Sequence, residues 1–271
     1  MREKHLRLIV FLLFLAGVSV WFSSYLYQRQ AAVSLGSRVV ESDSFRRMNL
    51  SERTLSKVSD AVQSGLTPAE ILTVLYPFSR NEMVFWPKQW DYQALLSWRS
   101  ELLWKNRAGY RAVWEAYAAI WDDVECFPAA AGTVSYENTW MFERTYGGLR
   151  GHEGTDLIPA ENLSGVYPVI SMTDGVVEKV GWLEQGGYRI GIRSTSGGYV
   201  YYAPLDSSAQ EFAVGDSVAA GERLGLMGDS GYGEEGTRGM FAVHLHLGIY
   251  IRTGQSEELS VNPYWVLRYV E

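Results

Sequence analysis

The sequence predicts an α+β protein with an N-terminal transmembrane helix, a small helical segment and a mainly antiparallel β domain. The first thirty residues contain a long apolar run, and apolar residues then recur at helical spacing to about residue 123. After Phe127-Pro128, short β-branched and aromatic runs alternate with glycines. We place a cytoplasmic tail at 1–7, the anchor at 8–27, the helical segment at 28–125 and the β domain at 126–271.

The composition of the 271-residue chain narrows the class of function. A formal net charge of −7 argues against nucleic-acid binding, which normally needs a basic face. Cys126 is the single cysteine, so no intrachain disulfide forms. We interpret it as a small buried apolar residue, not a nucleophile.

The uncharged stretch from Leu8 to Tyr27 is long enough to cross a bilayer as a helix. Arg2, Lys4 and Arg7 precede it, and the positive-inside tendency places the N-terminus in the cytoplasm and the remaining chain outside. A cleaved signal peptide is the alternative. The bulky Tyr25-Leu26-Tyr27 sequence, in place of a small-x-small cleavage site, favours an uncleaved anchor.

Local signals divide the helical segment into four helices. A helical repeat of apolar residues ends at Gly65, Thr67 to Glu70 reads as a capping box, and Pro77 stops the helix that follows. A third helix begins near Asp91, and a fourth covers 110–121 after a break at Gly109. The segment is also rich in tryptophan, which we interpret as filling a small core or lying near the membrane, with glycan stacking as the alternative. These tryptophans are Trp86, Trp90, Trp98, Trp104, Trp114 and Trp121.

Strands are predicted at 176–182, 188–193, 199–205 and 243–251, with Gly-Gly pairs at 186–187 and 197–198 as turns. Three of the four histidines fall in two motifs of this region. In Gly151-His152-Glu153-Gly154-Thr155-Asp156, the glycines favour a loop that leads into a strand. In His244-Leu245-His246, alternate residues of a strand place both imidazoles on one face.

Together the two motifs predict a catalytic metal site. Two histidine nitrogens and the carboxylate of Asp156 make three protein ligands, which leaves the fourth position of a tetrahedral zinc ion for water. Zinc lowers the pKa of that water to about 7 and polarises a carbonyl oxygen, which suits amide hydrolysis. A single histidine is more often structural, so the prediction depends on the combination of both motifs.

The motifs resemble those of the lysostaphin-type (LytM-like) zinc metalloendopeptidases, which cut peptide bonds of bacterial peptidoglycan. The resemblance extends over roughly 132–263 and implies a mainly antiparallel β domain with its site in a groove. The helical segment before it is not part of the family core. The resemblance also implies that His152, Asp156 and His246 bind one Zn2+ ion. His244 would be a catalytic histidine that activates water or stabilises the oxyanion. The matching stretches are 151–157, 173–177, 201–203, 215–218, 220–221, 224–228 and 244–247.

One position departs from the family pattern. A second catalytic histidine is usual in a Tyr-x-His-Leu stretch, but this chain has Pro204 there, in Tyr202-Ala203-Pro204-Leu205. Loss of a positioned acid or base costs about 10² to 10⁴ in rate, and Asp206 is a nearby acid that could substitute. A proline within a strand is expected at a sheet edge.

The leading hypothesis is a single-pass, extracytoplasmic zinc metalloendopeptidase that acts on peptidoglycan, with a cell-envelope protein as a further candidate partner. The alternative is a zinc-binding pseudoenzyme that scaffolds or regulates cell-wall hydrolysis through the same groove. A third interpretation comes from residues 218–225, which resemble the hairpin of lipoyl and biotinyl carriers. The matching turn contains no lysine to be modified, which argues against a carrier.

Overall fold

The computed structural model describes residues 2–78, 90–145, 148–207 and 212–271. The helices are α1 (Arg2–Ser34), α2 (Ser37–Val40), α3 (Asp43–Arg47), α4 (Glu52–Val62), α5 (Pro68–Leu75), a 3-10 turn (Tyr76–Phe78), α6 (Tyr92–Trp121) and α7 (Tyr264–Val270). The strands are β1 (Val134–Tyr136), β2 (Glu143–Arg144), β3 (Arg150–Gly151), β4 (Thr155–Pro159), β5 (Pro168–Ile170), β6 (Gly175–Leu183), β7 (Gly187–Ser194), β8 (Tyr199–Leu205), β9 (Ser217–Val218), β10 (Arg223–Leu226), β11 (Leu245–Ile251) and β12 (Leu259–Val261).

Helix α1 contains the apolar stretch predicted as an anchor. Its segment His5–Ser23 has a mean hydropathy of 2.2 and is not buried against the rest of the chain. By length and composition this segment is sufficient to cross a bilayer. Among the described residues, no other helix meets the same criterion.

The predicted helix signals are largely confirmed, with one correction. Thr67 and Glu70 form the capping box at the start of α5, and Gly65 has the positive φ (+98°) expected after a helix end. The break predicted at Gly109 lies instead at Asn106, where φ is −153° inside α6. The Asn106 side chain accepts a hydrogen bond from Gly109 N at 2.9 Å and donates to Leu35 O at 3.0 Å. It thus restarts the helix as an internal cap.

The large sheet is antiparallel and has the order β1-β4-β11-β8-β7-β6-β9, with β12 paired to β11. The four predicted strands are confirmed as β6, β7, β8 and β11, although β11 begins at Leu245 and leaves His244 just before the strand. His246 pairs with Asp156 of β4 on one side and with Ala203 of β8 on the other. This register brings together motifs that are far apart in the chain.

Pro204 does not lie at a sheet edge, so that expectation is wrong. It is a buried residue of β8, which runs between β11 and β7. Pairing with β11 ends at Ala203, and the register with β7 shifts between Tyr188 and Ile190. Pro204, which has no N–H group, therefore lies where the hydrogen-bond ladders to both neighbouring strands are interrupted. Its carbonyl accepts a hydrogen bond from Gly228 N at 3.0 Å.

The helical segment shares its core with the sheet. Arg46 of α3 donates to the carbonyl and the hydroxyl of buried Ser260 at 2.9 and 2.8 Å, which ties α3 to β12. Trp121 at the end of α6 is buried and its ring centroid lies 5.7 Å from that of Tyr269 in α7. In contrast, 83% of Trp104 is exposed, and Trp86 lies outside the described residues.

Candidate metal centre

The three predicted ligands meet between two neighbouring strands. Asp156 lies in β4 directly opposite His246 of β11, and His152 follows β3 and is buried. Gly154 allows this close approach, because a Cβ atom there would lie 2.4 Å from Leu247 O and 2.5 Å from the His246 ring. The predicted loop leading into a strand is thus confirmed, and the glycine is needed where β4 passes the imidazole.

The donor atoms of these three residues converge on one point. His152 Nε2 lies 2.8 Å from His246 Nδ1 and 3.0 Å from Asp156 Oδ1, and His246 Nδ1 lies 3.0 Å from the same oxygen. Ligands of a tetrahedral zinc ion with bonds near 2.0–2.1 Å are separated by roughly 3.3 Å. The observed triangle is only slightly smaller, so two nitrogens and a carboxylate oxygen fit a small divalent cation.

A second set of groups orients the donors from behind. Arg144 of β2 donates to Asp156 Oδ2 at 2.6 Å, on the carboxylate oxygen that does not face the histidines. His152 Nδ1 lies 3.2 Å from the carbonyl oxygen of Thr139 and 3.0 Å from its hydroxyl. When Nδ1–H donates to Thr139, Nε2 carries the lone pair, as a metal ligand requires. Neither Arg144 nor Thr139 stands in a motif that marks it in the sequence.

The electrostatics of the centre keep its donors ready for a cation. Burial alone would raise the pKa of the Asp156 carboxyl, but hydrogen bonds from His152 and His246 bring it well below its usual range. Burial lowers the pKa of His246 and outweighs the opposing effect of Asp156. At neutral pH the site therefore presents an ionised carboxylate and a neutral imidazole.

His244 stands beside this centre without belonging to the donor triangle. Its Nδ1 lies 2.8 Å from Ala242 O, and its ring packs at 5.2 Å from that of Phe241. With Nδ1–H donating to Ala242, the second nitrogen, Nε2, is left to accept a proton. His244 is close enough to Asp156 to contribute to the low pKa of that carboxyl.

The acid considered as a substitute for the missing histidine is already engaged. Asp206 accepts hydrogen bonds from Arg238 Nη1 at 2.6 Å and from Ser164 Oγ at 2.8 Å. Burial raises the pKa of Asp206, but these partners lower it by more. An ionised carboxylate that accepts two hydrogen bonds has no proton to donate, which argues against Asp206 as an acid in place of the side chain that Pro204 lacks.

A row of tyrosines continues from the metal centre along the outward face of the sheet. Tyr201 of β8 is in register with Gly191 of β7 and Gly248 of β11, and its ring centroid lies 6.0 Å from that of His246. A Cβ atom at Gly191 would lie 2.0 Å from the Tyr199 hydroxyl, so the glycine makes room for that ring. The alternation of Tyr199 and Tyr201 in the sequence was the available signal for this surface.

Comparison with known proteins agrees with this arrangement. Residues 150–263 match the sequence profile of Peptidase family M23. The L-Ala--D-Glu endopeptidase of Bacillus subtilis (strain 168) is 41% identical over 160 residues, which are 59% of this chain and 48% of that protein. The chain therefore spans about half the length of this curated relative.

A solved structure extends the similarity to most of the chain. The lytM protein of Ruminococcus gnavus ATCC 29149, provisionally described as a glycyl-glycine endopeptidase, has 45% sequence identity and a TM-score of 0.76. The match covers 90% of this chain and 95% of that chain. A match of this extent includes most of the helical segment as well as the sheet.

Proposed function

The chain belongs to peptidase family M23, the family of the lysostaphin-type endopeptidases, and from this we propose that it is a zinc-dependent peptidoglycan endopeptidase held at the membrane by α1. The observation that carries the proposal is the convergence of His152 Nε2, Asp156 Oδ1 and His246 Nδ1. The peptidase domain then works outside the cytoplasm, where peptidoglycan is found. Its domain limits are those inferred from the sequence, with the anchor at 8–27 and the peptidase at 126–271.

Each polar residue of the centre has a distinct task. His152, Asp156 and His246 would hold the ion, which when bound would polarise a carbonyl oxygen as a Lewis acid and lower the pKa of a water molecule. Arg144 keeps the Asp156 carboxylate in place. His244 Nε2 moves a proton to or from the reacting groups, because its other nitrogen is held by Ala242 O.

The name of the curated relative supports a proposal for the bond that is cut. That protein is named for the bond between L-Ala and D-Glu, and we propose the same bond as the substrate here. The test combines zinc analysis with peptide release by the full-length chain in detergent. One zinc per chain and release of peptides with new D-Glu N-termini support the proposal, and zinc binding without any release contradicts it.

A pseudoenzyme is the second candidate, and Pro204 is the observation that favours it. In this case the chain holds zinc and binds peptidoglycan, or a cell-envelope protein, without cleaving it. The Pro204→His variant separates the two candidates. An inactive wild type whose Pro204→His variant releases peptides identifies a pseudoenzyme, whereas an active wild type excludes it.

A further inference from the structure

We propose, on the basis of the peptidase function proposed above, that Arg150 and Arg189 form a carboxylate-binding subsite beside the metal centre. The subsite would recognise an acidic residue adjacent to the scissile peptide bond. It would make a free carboxylate near the cleaved bond a determinant of specificity.

The β2–β3 hairpin supplies the first arginine. Arg144 and Arg150 are directly opposite each other in this hairpin, so both side chains project from one face. Arg150 also precedes His152 by two residues in extended chain, which directs it to the same side as that ligand. Like charges in opposite positions destabilise a hairpin unless each has a partner. Arg144 has one in Asp156, but no described carboxylate forms an ion pair with Arg150.

The sheet supplies the second arginine. Arg189 alternates along β7 with Ile190, which is completely buried in the core, so Arg189 belongs to the outward face together with Gly191. Gly191 is in register with Tyr201 of β8. Arg189 therefore enters the row of tyrosines that begins at the metal centre.

Both cations act on the same tyrosine hydroxyl. Burial raises the pKa of Tyr201, and the guanidinium groups of Arg189 and Arg150 oppose that rise. A Cβ atom at Gly186 would lie 2.2 Å from the Tyr201 hydroxyl, so this hydroxyl reaches the turn that leads into Arg189 on β7. The ring of Tyr201 is itself 6.0 Å from that of His246. The arginines thus flank the tyrosine next to the donor triangle.

Each of the two arginines keeps a donor that the protein does not satisfy. The Nε atoms of Arg150 and Arg189 are buried and have no hydrogen-bond partner among the described residues. Arg193 on the same strand differs, because two of its nitrogens bind both oxygens of Glu178. An unpaired cationic donor is costly to bury, and an anion bound from outside would satisfy both of these donors.

The chemistry of a guanidinium identifies the anion. Its planar donors match a carboxylate in a bidentate fashion. D-Glu has two carboxyl groups, of which one continues a peptide chain and the other can remain free. One residue of extended peptide spans roughly 3.3–3.6 Å, so a residue next to the scissile bond needs the added length of its own side chain to reach the Tyr201 ring, which lies 6.0 Å from that of His246. The curated relative is named for the bond between L-Ala and D-Glu, and in that bond a D-Glu residue directly follows the cut.

The experiment compares two synthetic peptides that contain L-Ala–D-Glu or L-Ala–D-Gln and are otherwise identical. Their kcat/KM values are measured with the zinc-loaded full-length chain. We expect the acidic peptide to be favoured by about 10- to 100-fold, the effect of hydrogen bonds to a charged group. Arg150→Gln and Arg189→Gln should each reduce this preference by slowing cleavage of the acidic peptide alone.

Two variants make the comparison specific. Arg53→Gln removes an exposed arginine of α4 outside the site and should keep the full preference. Arg150→Lys keeps the charge and should retain part of it. A wild type that cleaves both peptides equally, or arginine variants that slow both peptides equally, would overturn the proposal.

A binding measurement separates failure of the subsite from failure of the peptidase. Calorimetric titration of both peptides into zinc-loaded His244→Ala protein measures binding without turnover. If wild type cleaves neither peptide, the peptidase proposal fails. Tighter binding of the acidic peptide, lost in Arg150→Gln, would still support the subsite. Equal binding of both peptides, or no binding of either, rejects it.

Discussion

On β11, His246 faces Asp156 across one neighbouring strand and Ala203, the residue before Pro204, across the other. The β4 side carries a carboxylate whose two oxygens contact His152, His246 and Arg144. The β8 side carries a buried proline whose carbonyl is bound by Gly228. The carboxylate of the candidate metal centre and the position of the missing histidine therefore lie on different strands of one sheet.

The largest expected effect is on the β4 side. His246→Ala removes one of the three donors and leaves the partly buried Asp156 carboxylate with fewer hydrogen-bond partners. Zinc affinity should therefore fall by more than the roughly 10- to 100-fold that is typical when a residue supporting a ligand is lost. Peptide release should disappear with the metal. Zinc titration against a competing chelator measures the change, with His244→Ala as the matched control that keeps all three donors. Unchanged zinc affinity in His246→Ala would show that another residue is the ligand.

The second-largest effect is expected at His244, the proposed proton-transfer residue. His244→Ala should lower the rate of peptide release by about 10² to 10⁴, the usual contribution of a positioned acid or base. Zinc content should stay at the wild-type value, because His244 lies outside the donor triangle. A parallel loss of zinc and activity would instead assign His244 to the metal.

A smaller effect is expected on the β8 side. Pro204 is buried, so Pro204→His should place a polar ring among apolar atoms and lower the free energy of unfolding by about 1–3 kcal/mol relative to Pro204→Ala. Denaturant unfolding of both variants measures this difference. Equal stability together with faster peptide release would show that the histidine reaches the groove, which contradicts burial as the role of this position.

The smallest effect is on pH dependence. The pKa of His246 is lowered in the folded, metal-free protein, so the unfolded chain takes up a proton first as the pH falls below about 6.5. The free energy of unfolding should therefore decline between about pH 6.5 and pH 5.5, by up to about 1 kcal/mol for the uptake of one proton. Thermal unfolding in a chelator measures the decline. A decline of the same size in His246→Ala would assign it to other groups.

Much of the site was predictable because its signals are local. Glycines around His152 indicate a loop before a strand, and alternation in His244-Leu245-His246 indicates which imidazoles share a face. The same period correctly places Leu245 in the core. The capping box at Thr67 is local in the same sense, since its two hydrogen bonds join residues three apart.

The incorrect expectations all depend on distant contacts. The kink of α6 occurs at Asn106 because its side chain reaches Leu35, which is 71 residues away in the chain. Pro204 can lie inside the sheet because the hydrogen-bond ladders of β8 with β11 and with β7 are both interrupted beside it. The sequence of β8 alone does not reveal these interruptions.

The strands, the apolar N-terminal helix and the candidate ligands can all be located in the sequence, since each is encoded in a short repeat or motif. How completely the two sides of the site are built depends on the tertiary structure. It brings Arg144 to Asp156, sets Arg150 opposite Arg144 in the hairpin and puts Arg189 on the strand next to that of Tyr201, because strand register and hairpin pairing select which distant side chains meet. Arginines are common surface residues, and their position in the fold is what marks these three.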